Sequence, residues 1–298
     1  MEQTGNLVKN LIERFRIKLA GIYPDQEIRQ LMYMLFAEFM GWQKTRVHLS
    51  LEEELPETVI KSFRQALEEL STGKPIQYIL HQSWFNGTLL KVDSNVLIPR
   101  PETEELCSLI ETDHALWRNQ SFSILDIGTG SGCIAIELKK HFLQSFVTAI
   151  DNSDGALDIA GSNARENHCE ISFFHADILN QMSWKELGQY HVIVSNPPYI
   201  TASEKVLMHR NVTEFEPDMA LFVSDQDPLL FYKAISDFAT THLLPSGRLY
   251  FEINERFGKA VSELLHSSGF EEIQLRQDFH GKDRFVSAIL KAPSTLPG

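Results

Sequence analysis

Apolar residues recur at helical spacing through the first part of the chain. Leu7, Val8, Leu11, Ile12, Phe15 and Leu19 form one stripe over residues 5–20, and Ile28, Leu31, Met32, Leu35, Phe36 and Phe39 form a second over 25–40. Leu55, Val59, Ile60, Phe63, Leu67 and Leu70 form a third. Ser50 and Glu53 have the spacing of a capping box ahead of it, and Gly73 is placed to end it. The pattern predicts a small all-helical bundle over residues 1–75, with no strand candidate inside it. Such a bundle serves either as a structural cap or as a substrate-docking domain, and spacing alone does not choose.

The pattern changes after residue 75. Asn86-Gly87 stands between apolar residues in Trp84-Phe85-Asn86-Gly87-Thr88-Leu89-Leu90-Lys91-Val92 and predicts a β-hairpin within a linker at 76–104. In Val96-Leu97-Ile98-Pro99-Arg100-Pro101-Glu102-Thr103-Glu104, two prolines bracket Arg100 and hold it extended, and Pro101 is suited to open a helix through Leu106, Leu109 and Ile110. Arg100 is either a structural ion-pair partner or a ligand contact.

From residue 122 onward, strands and helices alternate. Strands are expected at 122–127, 146–151, 171–175, 191–196, 247–253, 270–276 and 284–291, and helices near 131–141, 153–167, 228–242 and 257–268. This is the signature of an α/β fold with a largely parallel sheet, here a catalytic domain over 105–292. The tail at 293–298, rich in Pro, Ser and Thr, reads as disordered.

Composition narrows the classes. The chain has 298 residues, 43% of them hydrophobic, enough to bury a core and to fill one large domain or two ordinary ones. A net charge of −13 disfavours nonspecific grip on nucleic acid. Cys107, Cys133 and Cys169 are scattered and lack CxxC spacing, which argues against a disulfide framework or a zinc site and for a reducing compartment. The N-terminus lacks the apolar core of a signal peptide, and no apolar run approaches the roughly 18 residues of a membrane span. A cytoplasmic protein without membrane contact is the expectation.

Candidate chemistry gathers at the carboxyl ends of the strands, where open α/β sheets bind ligands. The first strand runs into Asp126-Ile127-Gly128-Thr129-Gly130-Ser131-Gly132, whose alternating glycines permit a tight turn and close approach of a ligand to main-chain atoms. Its G-x-G-x-G spacing departs from the dinucleotide fingerprint, which disfavours a nicotinamide dehydrogenase. Asp151 ends the second strand, about 20 residues beyond the loop, where a carboxylate accepts from a ribose diol. Asp177 follows the third strand and is suited to accept from an adenine amine, with Ile178 packing on the ring. Each acid alone is equally readable as a helix cap; together they point to an adenosine-containing cofactor. The fourth strand, Val192-Ile193-Val194-Ser195-Asn196, must stop where Pro197 and Pro198 withhold their N–H groups, which leaves Asn196 at the rim on a stiffened backbone.

These motifs carry a resemblance. D-I-G-T-G-S-G, Asp151, Asp177 and N-P-P-Y at 196–199 resemble the S-adenosylmethionine-dependent methyltransferases that act on planar nitrogens. With V-L-I-P-R-P-E-T-E at 96–104 and F-E-P-D-M-A-L at 215–221, nearly the whole chain resembles the protein-(glutamine-N5) methyltransferases of peptide chain release factors. The resemblance implies a seven-stranded Rossmann-like catalytic domain and a helical N-terminal domain joined by a hairpin. It implies S-adenosyl-L-methionine as methyl donor, S-adenosyl-L-homocysteine as product, no metal, and class 1 release factors as protein substrate with no direct nucleic-acid contact. The cofactor residues would be Asp126, Gly128, Thr129, Gly130, Ser131, Gly132, Asp151, Asp177, Ile178 and Asn196. Asn196, Pro197 and Tyr199 would be catalytic, and Asn196, Pro197, Pro198, Tyr199 and Arg100 would contact substrate. The chain departs from the family pattern at Asp227-Pro228-Leu229 and at Ile253-Asn254-Glu255-Arg256, both expected to lie outside the reaction centre.

An amide nitrogen is a poor nucleophile because its lone pair is delocalised, and no His or Lys is suggestively placed near Asn196 to serve as base. Orientation and desolvation are the expected devices, with the Asn196 side-chain oxygen and the Pro197 carbonyl accepting the two amide N–H groups. Tyr199 would stack on the amide or, alternatively, plug the turn. Two further rivals are an adenine-N6 methyltransferase of DNA or RNA, which would need a basic groove, and a non-catalytic cofactor-binding scaffold on the translation machinery.

Overall fold

The computed structural model describes residues 6–291; the predicted tail lies outside them. The chain divides into two compact units, Met1–His81 with His209–Phe215, and Gln82–Met208 with Glu216–Gly298.

In the first unit the three apolar stripes become α1 (Val8–Leu19), α2 (Asp25–Met40) and α4 (Glu57–Ser71), with short helices α3 (Lys44–Leu49) and α5 (Ile76–Leu80) beside them. The buried faces of α1, α2 and α4 meet in one core, in which the Phe63 ring packs against Phe15, Phe36 and Phe39. Removing a ring so enclosed costs about 3–5 kcal/mol. The expected capping box does not form. Ser50 closes α3, and α4 starts only after Pro56. The 50–55 stretch instead lies along the start of α1: Val8 N–H donates to Glu53 O, and Leu7 bridges Glu54. The ring of Phe215, from the 209–215 segment, comes 4.0 Å from the place a Cβ on Gly73 would occupy.

The second unit opens with the hairpin β1 (Gln82–Phe85) and β2 (Thr88–Lys91), turned by Asn86 and Gly87 with φ of 45° and 72°, as a type I′ turn requires. Phe85 and Leu90 bury one face of it in the core of this unit. Pro101 begins α6 (Pro101–Asp113), and Glu102 and Glu104 sit in its positive first turn. Strands β3 (Ser123–Ile127), β4 (Phe146–Asp151) and β5 (Ile171–His175) alternate with helices α7 (Cys133–His141) and α8 (Asp154–Glu166). Then come β6 (Tyr190–Ser195) and a small pair made by β7 (Ile200–Thr201) and β8 (Phe222–Val223); between these two lie the short helices α9 (Arg210–Thr213), which belongs to the first unit, and α10 (Asp218–Leu221). The chain ends through α11 (Leu230–His242), β9 (Leu243–Glu252), α12 (Gly258–Ser267), β10 (Phe270–Gln277) and β11 (Asp283–Leu290).

The seven-stranded sheet has the order β10-β11-β9-β6-β3-β4-β5. Its five strands from β9 to β5 run parallel, while β11 is antiparallel to both β9 and β10. Val192, Ile193 and Val194 of β6 are fully buried, as a central parallel strand covered on both faces should be. Register pairs Ile127 with Ile150 and Ser195, and Ser195 with Phe251. The residues just beyond, Gly128, Asp151, Asn196 and Glu252, therefore emerge along one rim. Strand order reverses there, where β3 is flanked by β4 on one side and β6 on the other, which is the usual ligand position in such sheets. Among the described residues no helix is long and apolar enough to cross a membrane.

Candidate functional site

One pocket opens at this rim. Of the residues singled out in the sequence it brings together Arg100, Gly128, Thr129, Gly130, Ser131, Asp151, Asp177, Ile178, Asn196, Pro197 and Pro198. Asp126, Gly132 and Tyr199 do not line it.

The glycine loop is pinned by its neighbour strand. Gly128 and Thr129 N–H both donate to Ile150 O, at 2.9 and 3.0 Å. Gly130 N–H donates to Asp151 Oδ2 at 2.9 Å, and Ser153 N–H to Asp151 Oδ1 at 3.0 Å, so the carboxylate is held before any ligand meets it. Burial raises the Asp151 carboxyl above the usual range, and these N–H groups pull it back. Gly132 has a φ of +82°, and a Cβ there would stand 3.2 Å from Ala160 Cβ, so it lets α8 approach the loop without facing the pocket. Asp126 is a correction of the same kind. It is fully buried under the loop, where Thr129 Oγ1 donates to its Oδ2 at 2.6 Å, and burial pushes its carboxyl up to about 7. It braces Thr129 within the loop and does not line the pocket. Asp177 Oδ1 accepts from Leu179 N–H at 2.9 Å, while Ile178, Phe231 and Ile235 give this side an apolar wall.

The other side is assembled from distant segments. Asn196 Nδ2 donates to Thr103 Oγ1 at 3.1 Å, and Thr103 Oγ1 donates to Glu252 Oε2 at 2.7 Å. Tyr199 Oη donates to the remaining oxygen, Glu252 Oε1, at 3.0 Å. Glu252 is 1% exposed. Burial pushes it up to about 7, opposed by the hydrogen bonds from Thr103 and Tyr199 and by the charge of Arg284. Tyr199 thus lies beneath the turn, against the core and on Glu252, not over the pocket as a stacking lid. Arg100 lines the pocket and also pairs with Glu216, Nη2 to Oε1 at 2.6 Å, while Ile98 N–H donates to Glu216 Oε2 at 3.2 Å.

One departure from the family pattern is not remote after all. Asn254 Nδ2 donates to Tyr199 O at 3.3 Å and to Glu204 Oε2 at 3.1 Å, so it braces the turn that follows Asn196. Thr103, Glu216 and Glu252 are among the polar residues at the site that the sequence did not single out, as are Asn95, Asn152 and Ser153 of the pocket lining. Glu252 was within reach: it ends a strand, the same position that drew attention to Asp151. Thr103 and Glu216 carried no signal beyond lying in motif stretches.

Comparison with known proteins agrees with this layout. The family model described as "Methyltransferase small domain" matches residues 108–215, and the one described as "PrmC N-terminal domain" matches residues 10–80. A protein of Flavobacterium psychrophilum named release factor glutamine methyltransferase is 42% identical over 282 residues, 94% of this chain and 98% of that one. A Bacteroides thetaiotaomicron protein of the same name is 37% identical over 273 residues, 92% of this chain and 96% of that one. Among solved structures, the 16S rRNA N2 G1207 methyltransferase of Thermus thermophilus, in complex with AdoMet and guanosine, aligns with a TM-score of 0.50 at 14% identity, over 70% of this chain and 50% of that one. That likeness is one of fold.

Proposed function

We propose that this chain, which belongs to the release factor glutamine methyltransferase family, transfers a methyl group from S-adenosylmethionine to the glutamine side-chain nitrogen in the Gly-Gly-Gln motif of class 1 peptide chain release factors. The observation that carries this reading is that Asn196 and Pro197 line the same pocket as the glycine loop, Asp151 and Asp177. Two reactants brought to one rim can be held in a near-attack arrangement.

The residues fit the donor. The Gly128–Ser131 backbone would take its amino-acid end, the fixed Asp151 carboxylate its ribose hydroxyls, and Asp177 with Ile178 its adenine. When bound, S-adenosylmethionine supplies an electrophilic methyl on a sulfonium. The chain's own part is to aim the acceptor. The Asn196 side-chain oxygen and the Pro197 carbonyl accept the two amide N–H bonds, which fixes the amide plane and helps localise the nitrogen lone pair. Pro197 is buried, which keeps water from competing for those bonds. Arg100, which lines the pocket and pairs with Glu216, would meet the backbone of the incoming loop. We infer that the helical unit docks the body of the release factor, since a single glutamine offers little surface for choosing one protein.

The test is mass spectrometry of the Gly-Gly-Gln peptide from a release factor incubated with the protein and S-adenosylmethionine, with DNA and RNA in parallel. The expected result is a gain of one CH2 on the glutamine and none on nucleic acid. An unmodified peptide would sink the reading.

A further inference from the structure

We infer that Thr103 and Glu252 form a positioning relay that fixes which end of the Asn196 side chain faces the acceptor. The inference rests on the glutamine-methylation reading for its kinetic consequences, and on hydrogen-bond chemistry for its direction.

A threonine hydroxyl has one hydrogen. While Glu252 is ionised, Thr103 spends it on Glu252 Oε2, at 2.7 Å, because a carboxylate can then only accept. Glu252 Oε1 is likewise committed to accepting from Tyr199 Oη, at 3.0 Å. Toward Asn196, then, Thr103 Oγ1 can only accept, and the group it meets at 3.1 Å must be the amide nitrogen. The carbonyl oxygen of Asn196 is left for the pocket that Asn196 lines. An asparagine can flip its amide with little change in shape, so packing alone would not choose between the two orientations. The choice matters, because an acceptor amide presents two N–H donors, and a flipped Asn196 would meet them with its own donor.

The carboxylate that starts the relay is enclosed. Thr103 and Glu102 face it from α6, Cys133 from the start of α7, Tyr199 from the turn after β6, Tyr232 from α11 and Arg284 from β11. Tyr232 Oη donates to the Glu252 main-chain oxygen at 3.2 Å, and Arg284 Nη1 donates to Ile253 O at 3.2 Å, so the strand end that carries Glu252 is itself held. With burial pushing Glu252 up to about 7, acid converts it from an acceptor into a donor, and the relay loses its fixed direction. Turnover is expected to fall as pH drops through that region.

The test compares Thr103→Val, Thr103→Ser and Glu252→Gln. Thr103→Val should lower kcat by about 10- to 100-fold, the range seen when the partner that orients a metal ligand is removed. Its affinity for S-adenosylmethionine, measured by calorimetry, should stay near the wild-type value. Thr103→Ser should restore most of kcat, because the hydroxyl and not the methyl carries the relay. Glu252→Gln, which nearly conserves shape, should lose the acidic limb of the kcat profile. Wild-type turnover in Thr103→Val, equal losses in Thr103→Ser and Thr103→Val, or an unchanged acidic limb in Glu252→Gln would each overturn the relay. Should the wild-type protein leave the glutamine unmethylated, the functional reading fails while the relay stays testable. Nitrogen–proton correlation NMR of the Asn196 side-chain amide, assigned by its loss in Asn196→Asp, should then show a clear shift in Thr103→Ser and Glu252→Gln, and no shift in either would refute it.

Discussion

On the glycine-loop side of the pocket, hydrogen bonds join residues 3, 2 and 21 positions apart: Thr129 to Asp126, Ser153 to Asp151 and Gly130 to Asp151. On the Asn196 side they span 93, 149, 53 and 116 positions, in Asn196 to Thr103, Thr103 to Glu252, Tyr199 to Glu252 and Arg100 to Glu216. The first side is a local motif whose donors are largely main-chain N–H groups. The second exists only once α6, β6, β9 and the segment before α10 have come together, and its groups are mostly side chains. A local site forms with its own turn, whereas a dispersed one depends on the whole unit being folded.

The largest break in this comparison is expected at Asn196. Asn196→Ala should reduce kcat by about 100- to 1,000-fold, the scale for losing one preorganised hydrogen-bonding group, while calorimetry finds cofactor affinity within about threefold of wild type. Asp151→Ala should do the converse. Cofactor binding should weaken by about 10- to 100-fold, or roughly 1.4–2.7 kcal/mol, with kcat recovering at saturating cofactor. Equal damage to both parameters in either variant would mean that the two sides are not separable.

Glu216→Gln sharpens the picture of the dispersed side. It keeps the shape but removes a nearly buried charge facing Arg100, so thermal melting should report a loss of about 1–2 kcal/mol. The smallest effect is expected at Gly132. Gly132→Ala should cost about 1 kcal/mol from its positive φ, with a little more from contact with Ala160, and chemical denaturation can resolve it.

The same contrast explains what could be read from the residues alone. The parallel sheet, the hairpin turn at Asn86-Gly87 and the acids at Asp151 and Asp177 all follow from signals a few residues long. So does the end of β6 before Pro197. Tyr199 went to the core instead of the pocket because its partner, Glu252, lies 53 residues away and no local pattern announces the bond. Asp126 looked like a ligand contact because it sits beside the glycines, yet it is the penultimate residue of β3, fully buried and closed over by Thr129. The capping box at Ser50 failed for a similar reason. Pairing with the start of α1 claimed that stretch, and Pro56 set the beginning of α4.

The membership of residues 209–215 in the helical unit has a practical side. That unit is not one continuous piece of chain, so a fragment cut between His81 and Gln82 would leave out the segment that brings Phe215 to Gly73. A deletion of the first 81 residues would leave that segment behind, and a transplanted N-terminus would arrive without it. Exchanging the helical unit between two members of the family therefore calls for exchanging both stretches together, with the second junction falling immediately before the Glu216 that holds Arg100.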